Sequence, residues 1–278
     1  MIESGRLLRH ARHSVSPLGQ NAAHTFAANH ALCHYPSRAI YSFIPKNGCT
    51  TLRIALAMGN GVVIGREDWH WIHKNNRTFV ASLAELVTAP HSFVILRCPF
   101  RRLASAFLDK IVNRSPEFWA LHRQLHDTLD STTFTFSDFV DLICKPELRK
   151  LDIHWRPQSD FLVYEDYDRW IALENLSESL PELEAMFGHA ILDARPLSGH
   201  GTAHLKPLPR GYYGDHSLSK LSCMREEGQI PAHVDLYNAR LRGLVRNSYK
   251  DDLRLYVAKF GEKGLAFAPD KDRAGDSQ

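Results

Sequence analysis

Hydrophobic residues along the chain follow two different spacings, which predict alternating strands and helices. Residues 39–44 and 92–96 are short, unbroken apolar runs rich in β-branched and aromatic side chains, as in buried strands. Residues 103–111 and 136–143 repeat apolar positions every three or four residues, as on the core-facing side of a helix. This alternation favours one α/β domain, a three-layer sandwich around a central, mainly parallel sheet.

Shorter segments continue the alternation toward the C terminus. Residues 161–164 and 170–173 are expected to be strands on either side of a turn. Residues 176–187 are expected to form a helix that Gly188 closes. The other predicted helices cover residues 22–32, 81–87 and 234–256, the last in two pieces.

Composition divides the 278 residues into three parts. Residues 1–36 are basic and rich in histidine without a clear hydrophobic period, so we expect a partly flexible arm. Residues 37–267 carry the alternating elements and are expected to be one domain. Residues 268–278 are charged and are expected to be disordered.

Charge and cysteine content narrow the classes of partner and the compartment. The 34 basic and 31 acidic residues are too balanced to indicate nucleic acid or an acidic membrane surface. The five cysteines lack metal-ligand or redox spacing and are typical of free thiols in a reducing compartment. No signal peptide and no apolar run of about 18 residues is found, so we expect a cytoplasmic protein with no transmembrane segment. The sequence does not indicate an oligomeric state.

The first segment with candidate chemistry lies between the strand at residues 39–44 and a predicted helix. Pro45 ends strand pairing, and Gly48 permits a tight turn with an open backbone. Thr50 and Thr51 then fall in the first helical turn, whose free N–H groups and dipole favour an anion. Lys46 adds a positive charge, so the segment suits a phosphate, although the usual ATP loop G-x-x-x-x-G-K-[ST] is absent.

A second strand–turn–helix segment follows the strand at residues 92–96. Arg97 stands at the carboxyl end of that strand, where its planar guanidinium group can bind phosphate oxygens. Pro99 fits the first position of a helix. Ser105 lies about two turns into this helix and can donate to the same phosphate group.

Both segments resemble motifs of sulfotransferases that use 3′-phosphoadenosine 5′-phosphosulfate (PAPS). Pro-Lys-Asn-Gly-Cys-Thr-Thr-Leu is similar to their 5′-phosphosulfate loop, above all in the chondroitin/dermatan-type carbohydrate sulfotransferases of the Golgi and their bacterial relatives. Residues 96–110 resemble the 3′-phosphate segment Arg-x-Pro-Phe-x-Arg-Leu-x-Ser-Ala-Phe/Tyr-x-Asp-Lys, from which Cys98 departs. Weaker similarities continue in the same order and extend the resemblance over residues 38–262, at residues 136–140, 154–158, 167–168, 174–176 and 249–260.

The resemblance implies a P-loop nucleotide-hydrolase-like sulfotransferase fold and a role for each motif residue. Lys46 is expected near the bridging oxygen of the 5′-phosphosulfate, and Arg97 with Ser105 is expected to hold the 3′-phosphate. The 5′-phosphate is expected in a cradle formed by Asn47, Gly48, Cys49, Thr50 and Thr51. The product nucleotide is then 3′-phosphoadenosine 5′-phosphate (PAP), and the motifs require no metal.

Sulfuryl transfer also needs a general base for the acceptor hydroxyl. In related sulfotransferases this base is a His or Glu, commonly between the two phosphate motifs. Here that interval offers His70, which we favour, with His73, Asp68 and Glu67 behind it. His154 is a further candidate because His-Trp-x-Pro-Gln recurs in the family. A purely structural role explains any one of these histidines equally well.

The expected function is transfer of the sulfuryl group from PAPS to a hydroxyl, with a carbohydrate as the expected acceptor. A non-catalytic relative that binds PAP is one alternative. A kinase-like phosphotransferase is another, but it needs a conventional ATP loop and acidic Mg²⁺ ligands, and neither pattern is present. The sequence does not distinguish a glycan from a lipid-linked sugar or a small alcohol as acceptor.

Overall fold

The computed structural model describes residues 6–62, 71–194 and 205–268. Its central sheet has four strands in the order β1-β2-β3-β4. β1 (Ala31–His34) pairs antiparallel with β2 (Ala39–Ser42), whereas β3 (His91–Leu96) pairs parallel with both β2 and β4 (Arg169–Ala172). The carboxyl ends of β2, β3 and β4 therefore meet at one edge of the sheet, which is where ligands bind in open α/β sheets.

Two hydrophobic clusters cover the two faces of this sheet. Alternate residues of β3 point to opposite sides, so that Phe93 and Ile95 join one cluster and Val94 and Leu96 join the other. Helices contribute to both clusters, which gives the expected order of helix layer, sheet and helix layer. The prediction of a mixed α/β fold with a parallel-rich central sheet is confirmed.

The helices begin and end at residues with suitable local chemistry. Capping boxes at Ser82 and Thr135 start two of them, prolines occupy the first turn of three others, and Gly188 in the left-handed conformation closes another. Their bounds are α1 (Ala22–Ala28), α2 (Cys49–Gly59), α3 (Trp71–Lys74), α4 (Leu83–Thr88), α5 (Pro99–Ala106), α6 (Pro116–Gln124), α7 (Phe136–Ile143), α8 (Pro146–Arg149), α9 (Leu176–Phe187), α10 (Leu218–Glu226), α11 (Ala239–Ser248) and α12 (Lys250–Phe260).

Two smaller features complete the architecture. β5 (Lys206–Pro207) and β6 (Gln229–Ile230) form a short parallel pair away from the main sheet. The segment Phe107–Ile111 is a π-helical turn that directly follows α5, where the sequence pattern predicted one continuous helix. In the described parts of the chain, no helix combines the length and apolar character needed to cross a membrane.

Two expected elements differ from the observed ones. Residues 161–164 were predicted to be a strand, but Gln158–Phe161 forms a 3₁₀ turn and Tyr164 makes only an isolated bridge to Leu8. The Asp252 carboxylate accepts the N–H groups of Gln158 and Ser159, and these bonds hold the chain in a turn. The helix expected over residues 22–32 ends at Ala28, because the following residues pair with β2 as β1, within the stretch expected to be an arm.

Candidate active site

The loop between β2 and α2 exposes backbone N–H groups at the start of a helix. Lys46 and Gly48 both have positive φ, 71° and 72°, a conformation that costs a non-glycine residue about 1–2 kcal/mol. Among the described residues, no side chain caps α2, so there the N–H groups of its first turn are open to an anion. This strained loop at the start of a helix is a geometry that favours anion binding.

Asn47 fixes this loop from the inside. Its buried side chain donates to the carbonyl of Ile95 at 2.8 Å and to Oε1 of Gln158 at 2.6 Å, and its own N–H donates to the carbonyl of Ile44. The donors of Asn47 are therefore used within the protein. Thr51 is also partly engaged, since its Oγ1 accepts the N–H of Ala194 at 3.2 Å.

The other predicted cradle residues lie at the open start of α2. Gly48, Cys49 and Thr50 are all partly exposed. A side chain at Gly48 would place its Cβ 3.1 Å from Cδ1 of Leu173. Glycine thus satisfies both the positive φ and the close approach of a neighbouring side chain.

Lys46 extends from the loop toward the π-helical turn. Its Nζ donates to Oδ2 of Asp109 at 2.8 Å, and its side chain is 16% exposed. Burial lowers the pKa of Lys46, Asp109 opposes that shift, and the charges of Arg97 and Lys110 add to it. π turns of this kind occur frequently at functional sites, and here the turn supplies the carboxylate that orients the lysine.

Arg97 approaches the same loop from the end of β3. Its Nη1 donates to the carbonyl of Lys46 at 2.9 Å, so both motifs meet at the sheet edge. Burial lowers the pKa of Arg97 to about 10, with Glu174 opposing the shift. Ser105 lies on the following helix, α5, and is partly exposed.

Arg102, one of the matching arginines in the second motif, does not face solvent. It is 1% exposed and donates to three carbonyls, those of Pro45, Ile153 and Arg156, at 2.7–3.0 Å. The guanidinium group therefore links the first motif, by hydrogen bonds, to the segment that contains His154. The sequence pattern alone does not separate this structural arginine from Arg97.

Gln158 joins the two motifs. Its Oε1 accepts from the Asn47 side chain and from the Arg97 N–H, and its Nε2 donates to the Arg97 carbonyl at 2.8 Å. Asp252 of α12 in turn accepts the N–H of Gln158 at 2.6 Å. In the sequence, Gln158 and α12 lie only in weakly similar segments, whereas in the structure both hold the two motifs in place.

His233 also faces both motifs, and sequence analysis missed it because no pattern surrounds it. Burial, followed by the positive charges of Arg97, Arg101 and Lys46, lowers the pKa of His233 to about 3. The imidazole is therefore neutral at physiological pH.

The candidate bases fall into three groups. Glu67, Asp68 and His70 lie outside the described residues. His73 is exposed on the short helix α3. His154 lies in a charged cluster, with Nδ1 2.7 Å from Oδ1 of Asp152 and 3.5 Å from Oε1 of Glu117.

This cluster continues to the first motif. Lys110 Nζ lies 3.4 Å from Oε1 of Glu117 and 3.7 Å from Oδ2 of Asp109, the carboxylate that binds Lys46. A continuous series of charge contacts therefore links His154 to Lys46. The structure brings Lys46, Arg97 and the start of α2 together and connects His154 to Lys46 through these intervening charges.

One of three comparisons with known proteins found a match. A family model described as "Sulfotransferase family" matches residues 29–256, which include the central sheet, both motifs and most of α12. A search of curated proteins and a search of solved structures each found no match.

Proposed function

The chain belongs to the sulfotransferase family, and from this premise we propose that it transfers the sulfuryl group of PAPS to a hydroxyl group of a carbohydrate. One observation carries the proposal: the Arg97 guanidinium group donates to the Lys46 carbonyl beside the uncapped start of α2. Two cationic side chains and a helix N terminus thus converge where parallel strands end.

Each part of this convergence suits one part of the donor. The open N–H groups of Gly48, Cys49, Thr50 and Thr51 suit the 5′-phosphate. Lys46 suits the bridging oxygen, on which negative charge develops as the sulfuryl group leaves. Arg97 and Ser105 suit the 3′-phosphate, which PAPS carries and ATP lacks.

The proposed chemistry is an in-line displacement at sulfur, similar in its demands to phosphoryl transfer. Lys46 stabilises the leaving phosphate oxygen, and a general base removes the proton of the acceptor hydroxyl. The candidates for this base are the five residues named from the sequence: Glu67, Asp68, His70, His73 and His154.

A polar surface groove of about 550 Å³ is one place where we propose that a carbohydrate acceptor binds. One of its lining residues, Val112, follows in sequence the π turn that carries Asp109 and Lys110. Its lining includes Asn113, Arg114 and Arg225. Such side chains can hydrogen bond to several sugar hydroxyls at once.

Cysteine chemistry supports a cytoplasmic location, which belongs to the same proposal. All five cysteines lie in the described part of the chain and are free thiols. Free thiols are typical of proteins in reducing compartments.

Transfer of labelled sulfate from PAPS to unsulfated polysaccharides, with chondroitin as the first acceptor, tests the proposal. Lys46→Ala and Arg97→Ala should each reduce kcat/KM about 100-fold or more, because each removes a charge that faces the donor. The exposed Lys74→Ala is the matched control. Near-normal transfer by either site variant would contradict the proposal, and PAP binding without transfer to any acceptor would favour the non-catalytic alternative.

A further inference from the structure

We propose that His154 is the general base of this site and that Asp152 and Glu117 position it. The inference rests on the proposed function and names one base among the candidates. It stands on three observations: the hydrogen bonds of the imidazole, the link between its segment and the Lys46 loop, and the signs of the surrounding charges.

The hydrogen bonds of His154 fix its tautomer. The Asp152 carboxylate accepts from the backbone N–H of His154 at 2.8 Å and from Nδ1 at 2.7 Å. Since an ionised carboxylate only accepts, Nδ1 carries the hydrogen and Nε2 carries the lone pair. This is the arrangement in which an acidic residue orients a histidine base in hydrolytic triads.

Arg102 holds this histidine in a fixed position relative to Lys46. One buried guanidinium group donates to the carbonyl of Pro45, which precedes Lys46, and to the carbonyl of Ile153, which precedes His154. Both bonds start from one planar group, so the two segments cannot move apart independently. Gln158 adds a second link through its bond with Asn47.

The charges around His154 favour the cation that a base becomes. Asp152 lies on its own segment and Glu117 on α6, with Lys110 and Asp109 behind Glu117. Burial acts to raise the pKa of Asp152, but hydrogen bonds from His154 and the charges of His154 and Lys110 outweigh it, and the pKa is lowered. An ionised Asp152 stabilises the imidazolium.

His233 shows the opposite environment. It faces Arg97, Arg101 and Lys46, and these charges, together with burial, oppose its protonation. Three cations oppose protonation of His233, whereas the acidic groups in contact with Nδ1 of His154 are the carboxylates of Asp152 and Glu117. Of these two histidines near the motifs, His154 therefore fits the base and His233 does not.

In the proposed transfer, one proton moves to His154 and one bond from sulfur to oxygen replaces another. The acceptor hydroxyl gives its proton to Nε2 of His154 as its oxygen forms a bond to sulfur. The bond from sulfur to the 5′-phosphate oxygen breaks, and its electron pair leaves on PAP, where Lys46 offsets the charge. The imidazolium then releases the proton to water.

The test compares His154→Gln with wild type in kcat against pH and in PAP affinity. The assay is transfer from PAPS to unsulfated chondroitin, and hydrolysis of PAPS to PAP and sulfate serves as a second assay with water as acceptor. The variant should lose about 100-fold or more in kcat, bind PAP within twofold of wild type, and lose the acid limb of the pH profile. The exposed His126→Gln is the matched control.

Variants of Asp152 and Glu117 distinguish a change in catalysis from a loss of folded structure. Asp152→Asn should lower kcat about 10-fold or more and alter the acid limb without changing PAP affinity. Asp152→Glu should recover part of that loss, and Glu117→Gln should have a smaller effect in the same direction.

Two results would overturn the inference: His154→Gln with kcat near that of wild type, or loss of the acid limb in His70→Gln while His154→Gln retains it. If wild type fails to bind PAP, the proposed function itself fails. If Lys46-dependent transfer persists in His154→Gln, only the assignment of the base fails.

Discussion

Helices α2 and α5 each follow a strand of the parallel part of the sheet, α2 after a loop and α5 after a short turn. Within residues 6–62, 71–194 and 205–268, a carboxylate hydrogen bond is found at the N terminus of α5 and not at that of α2. Glu174 accepts the N–H of Cys98 at 3.0 Å and is itself held by the Tyr256 hydroxyl at 2.8 Å. The start of α2 has no side-chain cap. The same local unit is therefore open to an external anion in one case and closed by an internal one in the other.

The two units also contribute different groups to the site. The first presents backbone N–H groups on a loop with positive φ at Lys46 and Gly48. The second presents the guanidinium group of Arg97 at the end of a regular strand. Because α5 is closed, Arg97 is the cationic group that its unit presents to the Lys46 loop. Under the proposed function, the two units would therefore bind the two phosphates of the donor in different ways.

The largest expected loss of stability follows from removing Arg102, which links the two units by hydrogen bonds. Arg102→Ala should lower the free energy of unfolding by about 3 kcal/mol or more, because it leaves three carbonyls without their donor. Urea unfolding of this variant beside the exposed Arg123→Ala measures the difference. An equal, small loss in both variants would mean that the units do not depend on Arg102.

A pH effect tests whether cations of both units surround His233. Its folded pKa of about 3 lies below its ordinary value of 6.5. As pH falls below 6.5, the unfolded chain takes up a proton that the folded chain does not, so stability falls. Between pH 6.5 and 4.5, wild type should lose about 2 kcal/mol more than His233→Gln.

Denaturant unfolding at several pH values, with the exposed His126→Gln as control, provides the measurement. PAP should reduce the loss in wild type, because its phosphates offset the charges of Arg97 and Lys46. Parallel stability curves for wild type and His233→Gln would contradict this description of the site.

A smaller loss of stability is expected from a change at Gly48, in the loop before α2. Gly48→Ala should destabilise the protein by about 1–2 kcal/mol through its positive φ, with an added contribution from Leu173 at 3.1 Å. Gly61 has φ of 89°, and no described atom lies within 4 Å of the place that a Cβ would take there, so Gly61→Ala isolates the backbone term. Thermal unfolding that ranks Gly61→Ala as the more harmful change would refute the close packing at Gly48.

The smallest expected loss of stability is at the start of α5, the unit that Glu174 closes. Glu174→Gln keeps the shape of the side chain but removes its charge at the start of α5. Stability should fall by about 1 kcal/mol. PAP affinity should not fall, because the N terminus of α5 is not part of the proposed anion site and loss of the Glu174 charge leaves the surroundings of Arg97 more positive. Glu262→Gln, at an exposed residue after α12, is the control. A large loss of PAP affinity in Glu174→Gln would show that the two helix starts are not functionally different.

Local sequence patterns predicted those features of the α2 and α5 units that depend on residues adjacent in sequence. The apolar runs of β2 and β3, Gly48 in the turn and Pro99 at the start of α5 all follow from short-range chemistry. Glu174 and Asp252 could not be predicted in the same way. Each acts on a backbone group far away in sequence, and only packing brings them there.

Residues that match the motifs equally well in sequence also have different roles in the structure. Arg97 and Arg102 have the same chemistry in the sequence, yet Arg97 is a partly exposed residue that donates to the Lys46 carbonyl, whereas Arg102 is buried and donates to three carbonyls. Asn47 was expected in the phosphate cradle, but its side chain turns toward Ile95 and Gln158. Side-chain direction in an irregular loop depends on partners that local periodicity does not reveal.

Calorimetric binding of PAP to wild type and Arg97→Ala, with ATP and 5′-AMP as comparison ligands, tests the proposed donor site most directly. Arg97→Lys and an unfolding curve for each variant separate lost binding from lost structure. We predict tight PAP binding by wild type, weak ATP and 5′-AMP binding, and a loss of about 100-fold or more in PAP affinity for folded Arg97→Ala. Equal affinity of wild type for PAP and 5′-AMP, or undiminished PAP binding by Arg97→Ala, would contradict the assignment of the two phosphate sites.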